Sequence, residues 1–255
     1  MLKAKEKIRI KVIRNGKIVY DVEEKGNTLT SDFLLLFKQE VTANTDVLKI
    51  PPLYQIEASD QTVTLGTATL SSSDITIDTT NLKLTVNKSI NITTAGVLRY
   101  IYLWLGSDSP LLVMTTMPVT TYITVNVGDV VVATYEGTFS IIASNLSGLL
   151  SDASLTYSML ITRLLYRLAN QSSASLRIAR VSYCDDLGNA ILYVETQNDN
   201  SNYVIIAPQT AMPQTANIKI IKFNDSTAVD LLIWTKATAV NIPQGSNVSI
   251  SVNVS

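Results

Sequence analysis

The chain has 255 residues, of which 46% are apolar and 16% are charged, and its formal net charge is -1. This balance excludes a disordered chain, which needs low hydrophobicity and a high net charge. It also lacks the basic excess that binds phosphate backbones, so we expect no nucleic-acid partner. No apolar run reaches the roughly 18 residues of a membrane-spanning helix, so we expect no membrane span.

Histidine is absent from the chain, and Cys184 is the single cysteine. Cys184 has no partner for an intrachain disulfide and no imidazole to activate it, so we expect a small buried side chain. Without histidine, no side chain of ordinary pKa titrates between pH 5 and 8, and from this we expect tolerance of acid. The start, MLKAKEKIRIKVIRNGK, is charged where a signal peptide is apolar, which predicts synthesis in the cytoplasm without export.

The first predicted element is a hairpin in KIRIKVIRNGKIVYDVEE, residues 7–24, around Asn15-Gly16. A two-residue loop would mix apolar and charged side chains on each face. A three-residue loop that pairs Val12 with Ile18 gives one apolar face and one charged face. In that register, Arg9 lies opposite Asp21 and Lys7 lies opposite Glu23, so we predict the three-residue loop.

Two short helices are predicted, at TSDFLLLFKQEV (residues 30–41) and SLTYSMLITRLLYRLAN (residues 154–170), because apolar residues recur there at helical spacing. Thr30 or Ser31 is the expected N-cap of the first helix. Short runs rich in Val, Ile, Thr and Tyr fill most of the remaining chain, with Ser, Asn and Gly between them. This pattern predicts an all-β protein of the β-sandwich type, with jelly-roll-like connectivity.

A pattern in the first half returns in the second half at an offset of 117 residues. The offset aligns the Gly128 turn with the Gly245 turn, Asp108 with Asp225, and Ile101 with Ile218. We therefore predict two tandem β-sandwich domains, residues 1–143 and 144–255, each with one short accessory helix.

Carboxylates supply most of the acid and base chemistry in this chain. Asp129, Glu136 and Glu195 could flank a sugar as glycosidase carboxylates do, but turns and solvated strand faces explain them better. Asp185, Asp186, Asn189 and Asp199 lie in oxygen-rich loops that could hold calcium. These loops lack the spacing of a calcium-binding loop, and the same residues stabilise turns, which we favour. We predict no catalytic residue, no metal site and no cofactor.

Tyr100, Tyr102 and Trp104 alternate along one apolar strand, so all three lie on one of its faces. Such a row could stack against a glycan. The alternating Ile101, Leu103 and Leu105 are apolar as well, which favours a core or subunit-interface position for the row.

Asn-X-Ser/Thr triplets make an N-glycosylated surface a further hypothesis. The candidate residues are Asn87, Asn91, Asn145, Asn170, Asn224, Asn247 and Asn253.

Two segments resemble a pattern in structural proteins of tailed phages and archaeal viruses, in which a basic N-terminal hairpin precedes similar motifs. They are EKGNTLTSDFLLLF (Glu24 to Phe37) and VNVGDVVVATYEGTF (Val125 to Phe139). The resemblance covers roughly the first 140 residues. The tandem arrangement is similar to vertex turret, spike and tail-fibre proteins, which carry strings of jelly-roll domains.

The resemblance implies a non-enzymatic virion structural protein, located on the surface of an archaeal virus particle. The implied partners are other copies of the chain, as a trimer or pentamer, together with other capsid proteins and host surface glycans. The N-terminal domain would anchor to the particle and the C-terminal domain would point outward. The alternative hypothesis is a carbohydrate-binding or adhesive surface module.

Overall fold

The computed structural model describes residues 2–26, 28–46, 49–142 and 148–254. Strands dominate these residues and form four antiparallel sheets, A to D, accompanied by two short α-helices. The prediction of an all-β protein with two short helices is therefore confirmed.

The described residues of the first half form ten strands and one α-helix. In chain order they are β1 (Leu2–Arg14), β2 (Lys17–Lys25), β3 (Thr28–Leu29), α1 (Ser31–Val41), β4 (Leu53–Ser59), β5 (Thr64–Thr69), β6 (Ile75–Asp78), β7 (Lys83–Asn91), β8 (Gly96–Gly106), β9 (Pro110–Val125) and β10 (Val130–Ile141). Sheet A has the order β2-β1-β10-β7-β6, and sheet B has the order β3-β9-β8-β4-β5.

Strand pairing in this half is nested, because β1 pairs with β10, β3 with β9, β4 with β8, and β6 with β7. Such pairing is that of a ribbon folded back on itself, which underlies a jelly roll. Two successive pairs, β3·β9 and β4·β8, remain together in sheet B, so the pairs do not alternate strictly between the sheets.

Alternation of side chains along β1 explains why sheet A packs onto sheet B. Ile8, Ile10 and Val12 are fully buried between the sheets, whereas Lys7 and Arg9 lie on the outer face. Burial of such aliphatic side chains supplies most of the stabilisation of a sandwich, at roughly 1.5–3 kcal/mol for each.

The register predicted for the β1–β2 hairpin is wrong. The loop has two residues, Asn15 and Gly16, both with positive φ, and a bulge after Val12 shifts the pairing so that Val12 lies opposite Tyr20. The bulge accommodates one extra residue on β2, Val19, and beyond it Ile13 lies opposite Ile18, which is 56% exposed. Arg9 still bonds Asp21 through two contacts of 2.7 and 2.8 Å, but diagonally rather than directly across.

Helix α1 begins as predicted at Thr30, whose hydroxyl accepts a hydrogen bond from the backbone N–H of Phe33. Its buried face carries Phe33, Phe37 and Val41, together with the carboxylate of Glu40.

In the second half, residues 148–254 form seven strands and one α-helix. They are β11 (Ala153–Thr156), α2 (Ser158–Leu168), β12 (Arg180–Cys184), β13 (Ala190–Glu195), β14 (Val204–Ala211), β15 (Ala216–Asn224), β16 (Asp230–Ile242) and β17 (Asn247–Asn253). Sheet C has the order β11-β16-β15-β12-β13, and sheet D pairs β14 with β17.

Sheet C repeats the strand order of sheet B. In both sheets the helix follows the first edge strand, α1 after β3 and α2 after β11. Sheet D corresponds to the β7·β10 pair of sheet A. In the first half, Gly128 donates to the carbonyl of Ile92, and in the second half Gly245 donates likewise to Met212, each at 2.9 Å. The two turns are therefore equivalent, as the 117-residue offset predicts.

The offset does not hold through the whole repeat. Leu98 pairs with Ile123, and Ile218 pairs with Val240, so the counterpart of Ile218 is Leu98 and not Ile101. The loop between β8 and β9 spans residues 107–109, whereas the loop between β15 and β16 spans residues 225–229. Strands β15 and β16 are nevertheless shorter than β8 and β9, and this difference outweighs the longer loop and separates Asp225 from the position equivalent to Asp108.

The boundary predicted between residues 143 and 144 lies between β10 and β11, within a segment outside the described residues. Among the described strands, none of the first half pairs with one of the second. Side chains nevertheless join the halves, because Glu40 bonds Arg167 and a small cavity of about 50 Å³ is lined by Leu2 and Ile141 together with Trp234. The division into two domains, residues 1–143 and 144–255, stays a prediction.

Candidate functional site

Tyr100, Tyr102 and Trp104, here called the aromatic row, lie on the outer face of β8 at the centre of sheet B. The rings of Tyr100 and Tyr102 stack with centroids 5.8 Å apart and an interplanar angle of 14°. Tyr102 and Trp104 follow at 6.4 Å with a tilt of 57°. All three side chains are half-buried, while Ile101, Leu103 and Leu105 fill the core on the other face. The row is therefore accessible from outside and is not part of the core.

A carboxylate on the neighbouring strand holds the row in place. Glu57 on β4 lies opposite Tyr102 and accepts a hydrogen bond of 2.9 Å from the indole Nε1 of Trp104. Its other oxygen accepts the hydroxyl of Thr64 at 2.8 Å. A bond of this kind orients the indole, and Glu57 itself is only 9% exposed.

The hydroxyl of Tyr102 stays protonated under ordinary conditions. Burial raises the pKa of Tyr102 above its usual value, and the neighbouring charges of Tyr100 and Glu57 act in the same direction. A protonated phenol can both donate and accept a hydrogen bond, which suits a polyhydroxylated ligand as well as a protein surface.

Tyr122 extends the aromatic surface beyond Tyr100. It lies on β9 with 66% of its surface exposed, and the guanidinium of Arg99 is 4.8 Å from its ring centroid. Neither Tyr122 nor Glu57 was predicted as part of the site. The period-two alternation of β9 and β4 places both on an outer face, but only the pairing register brings them beside β8.

The equivalent face of sheet C carries no such aromatic row. Asn224 accepts the hydroxyl of Ser182 at 2.6 Å and donates to Asp230 at 2.5 Å. Lys222 bonds the same Asp230 at 3.1 Å. The second copy of the sandwich thus places a polar network where the first copy has aromatic rings.

The carboxylates weighed for glycoside hydrolysis do not come together. Asp129 and Glu136 are separated by seven residues of nearly extended chain, roughly 23 Å, and Glu195 lies on β13 in sheet C. Glycosidase carboxylates are about 5–10 Å apart. Asp129 instead bonds Arg14 at 2.7 and 2.9 Å and caps its turn through the N–H of Asn126.

The oxygen-rich loops are occupied by their own hydrogen bonds. Asp185 accepts the backbone N–H of Leu187 and of Asn189, and Asp199 accepts those of Ser201 and Asn202. Within the described ranges, no group of three or more His, Cys, Asp or Glu side chains could hold a metal ion. Cys184 is fully buried as predicted, and burial raises the pKa of its thiol to about 11.

The glycosylation candidates fall into three groups. The exposed ones are Asn87, Asn91, Asn170, Asn247 and Asn253. Asn224 is only 3% exposed and its amide donates to Asp230, so a glycan there is incompatible with the fold, and this candidate is withdrawn. Asn145 lies outside the described residues.

Comparisons with protein-family models, curated proteins and solved structures found no match. No helix among the described residues has the length and apolarity needed to cross a lipid bilayer.

Proposed function

We propose that the protein is a non-enzymatic structural component of a virion, from an archaeal virus, and that it works in a symmetric homo-oligomer with other capsid proteins. The observation that carries the proposal is the repeated sandwich, in which the Gly128 and Gly245 turns make equivalent backbone bonds. Sandwiches in series provide length and surface, which a projecting particle protein requires. The motifs shared with phage and archaeal virus proteins, residues 24–37 and 125–139, support the same role.

The N-terminal half is the proposed anchor toward the particle. The outer face of β1 and β2 is dense in charges, with a bidentate Arg9–Asp21 pair and Lys7 between Glu23 and Glu136. A charged face of both signs suits a polar contact with a neighbouring capsid protein, whose register it would fix.

Proteomics of purified particles tests this function. Virions from the source culture, banded on a density gradient, are expected to contain the protein at a fixed copy number relative to the major capsid protein. Its presence in infected cells together with its absence from banded virions would contradict the proposal.

The aromatic row favours a second candidate function, the binding of a carbohydrate. Tyr102 presents a stacked, half-buried ring beside the carboxylate of Glu57, and an apolar ring next to a hydrogen-bond acceptor suits a sugar.

A glycan array with variant proteins tests this second function. Tyr102→Ala is expected to weaken binding about tenfold, which corresponds to about 1.4 kcal/mol. Tyr193→Ala is the matched control, because Tyr193 is an exposed tyrosine on the other sandwich. Equal binding by the two variants, or no binding by the unmodified protein, would reject the carbohydrate function.

A further inference from the structure

The strand β17 has an open edge at a position that is covered in the first half. There, β10 pairs with β7 on one side and with β1 on the other, from Leu2 opposite Ile141 to Ile13 opposite Val130. β17 is the counterpart of β10, and among the described strands it pairs with β14 alone. The second sandwich therefore has no described strand in the place of β1.

Hydrogen bonds at both ends of β17 show which backbone groups point outward. Val254 donates to the carbonyl of Tyr203, and Ser246 accepts from Met212, so even-numbered residues direct their backbone groups toward β14. In an antiparallel strand the direction alternates from residue to residue. The odd-numbered residues, Asn247 to Asn253, therefore direct their N–H and C=O groups toward the open edge.

This edge lacks the features that prevent strands from associating. β17 contains no charged residue, proline or glycine, whereas the edge strand β2 carries Lys17, Asp21, Glu23, Glu24 and Lys25. Natural edge strands are usually protected by charges, prolines, bulges or a covering segment. An unprotected edge of seven residues is expected to be paired in the functional state.

The sequence of β17 indicates which strand pairs with it. Asn-Val-Ser-Ile-Ser-Val-Asn, residues 247–253, reads the same in both directions around Ile250. An antiparallel partner of the same sequence, related by a two-fold axis through Ile250, places every residue opposite an identical residue. In that register, Val248 meets Val252 on the core side and Ser249 meets Ser251 on the outer side.

We propose that two copies of the chain associate through β17, antiparallel and centred on Ile250. Ser249 and Ser251 of the two copies would form about four backbone hydrogen bonds, and about four more would form where Asn247 meets Asn253. Val248 and Ile250 are nearly buried, and the partner strand extends their apolar layer across the two-fold axis. The contact rests on the self-association proposed above, but because it is two-fold it joins two copies and is not the interface of the expected trimer or pentamer. It requires neither a virion nor a glycan.

Charge variants on the outer face of β17 test the contact and its register. Ser249→Lys with Ser251→Lys places lysine opposite lysine across the axis, and should weaken the dimer at least tenfold in sedimentation equilibrium. Ser249→Lys with Ser251→Glu places lysine opposite glutamate and should restore it. Both positions are solvent-exposed, and unfolding midpoints verify that both variants remain folded.

Disulfide formation tests the same register without relying on dimer strength. Directly opposed residues in such a pair lie about 5.5 Å apart, within reach of a disulfide, whereas Ser249 and its own copy lie roughly 9 Å apart. A mixture of Ser249→Cys and Ser251→Cys proteins should therefore cross-link under mild oxidation, and neither protein should do so alone. The buried Cys184 remains as an unreactive internal control.

The outcomes separate this contact from the proposed function. A monomer at 100 micromolar, or equal dissociation constants for both charge variants, would overturn the β17 contact. An oligomer unaffected by these variants would show self-association through another surface, and cross-linking to a different protein at β17 would assign the edge to that protein. Detection in banded virions is decided separately by proteomics.

Discussion

Glu40 is a carboxylate without access to solvent, and donors from both halves of the chain surround it. One oxygen accepts the backbone N–H groups of Lys49 and Ile50, at 2.9 and 3.0 Å. The other accepts Nη1 of Arg167 at 3.2 Å and the N–H of Leu176 at 3.3 Å. Because the first two donors belong to the first half and the others to the second, this single side chain joins the two sandwiches.

Arg167 is equally enclosed, with a side chain only 5% exposed. Its remaining nitrogens donate to the carbonyls of Ser172 and Ala174, which fixes the turn after α2. A buried, fully bonded ion pair adds little relative to a well-packed apolar pair, but removal of one partner leaves the other charge uncompensated.

Breaking this pair is expected to be far more costly than breaking a surface pair. Glu40→Ala should lower the free energy of unfolding by about 3–5 kcal/mol, measured by urea denaturation, because Arg167 would remain buried and charged. Asp21→Ala, which removes the exposed partner of Arg9, is the control and should cost far less, because solvent-exposed ion pairs contribute little to stability.

A double variant distinguishes coupling from simple loss of packing. Glu40→Leu with Arg167→Met should destabilise the protein by less than the sum of the two single changes. Additive losses would mean that the two charges are not coupled across the halves.

The two closing hairpins, β9–β10 and β16–β17, are the elements that define the repeat. Gly128 has a φ of 90° and Gly245 a φ of 80°, and no atom lies within 4 Å of a Cβ built at either position. Glycine is thus required at both turns for its backbone conformation and not for space.

Equal costs are therefore expected for alanine at the two turns. Gly128→Ala and Gly245→Ala should each lower the free energy of unfolding by about 1–2 kcal/mol, since alanine adopts positive φ only with strain. Gly128→Asn should cost less, because asparagine tolerates this region. Clearly unequal losses for the two alanine variants would argue against equivalent turns.

Much of the element order follows from local patterns. Alternation of apolar residues, the helical spacing at residues 30–41 and 154–170, and the Thr30 cap predict most strands and both helices. The second helix begins later than predicted, because Ala153–Thr156 form strand β11, which pairs with β16. The turn glycines identify the repeat because positive φ is a local requirement that glycine meets. These signals depend on residues close together in the chain.

Features that depend on distant residues were missed. The bulge after Val12 was missed because its extra residue, Val19, lies in the continuous apolar run Ile18-Val19-Tyr20, where no alternation marks the change of register. The contact of Trp104 with Glu57 follows from the β4·β8 register, and the Glu40–Arg167 bond joins residues 127 positions apart. The shorter strands β15 and β16 similarly removed the uniform offset.

At the scale of the whole molecule, the pKa values of the aspartates argue against the acid tolerance that the lack of histidine predicts. The pKa values of eight of them are lowered. Hydrogen bonds from neighbouring side chains or backbone N–H groups are the main cause in six, which are Asp21, Asp60, Asp78, Asp129, Asp185 and Asp199. In Asp74 and Asp225 burial acts to raise the pKa, but hydrogen bonds and the charges of Lys88 and Arg163 outweigh it. A carboxyl with a lowered pKa stabilises the fold above its unfolded pKa, about 3.9, and loses this contribution as the pH falls through its folded pKa.

Glu6 acts in the opposite direction. Burial between the sheets raises its pKa, although its hydrogen bonds to Tyr135 and Thr115 act to lower it. Its contribution to stability is therefore present below its unfolded pKa and is lost as the pH rises through the folded pKa.

We accordingly expect the free energy of unfolding to fall between pH 5 and pH 2, measured by urea titration at each pH. The unmodified protein should also lose some stability above pH 5, whereas Glu6→Gln should not, because it has no carboxyl to ionise there. Equal stability of the unmodified protein at pH 2 and pH 5 would contradict the predicted loss of stability in acid.

The pairing of β1 with β10 has a consequence for biosynthesis. At about 5–20 residues per second, the ribosome completes residues 130–141 several seconds or more after the N-terminal strand has emerged. During that interval Ile8, Ile10 and Val12 have no sheet to cover them, and pairing across such a sequence separation is intrinsically slow. The charged residues on the opposite face of β1 and β2 can keep this nascent hairpin soluble. These charges would therefore be needed during synthesis as much as in the folded protein.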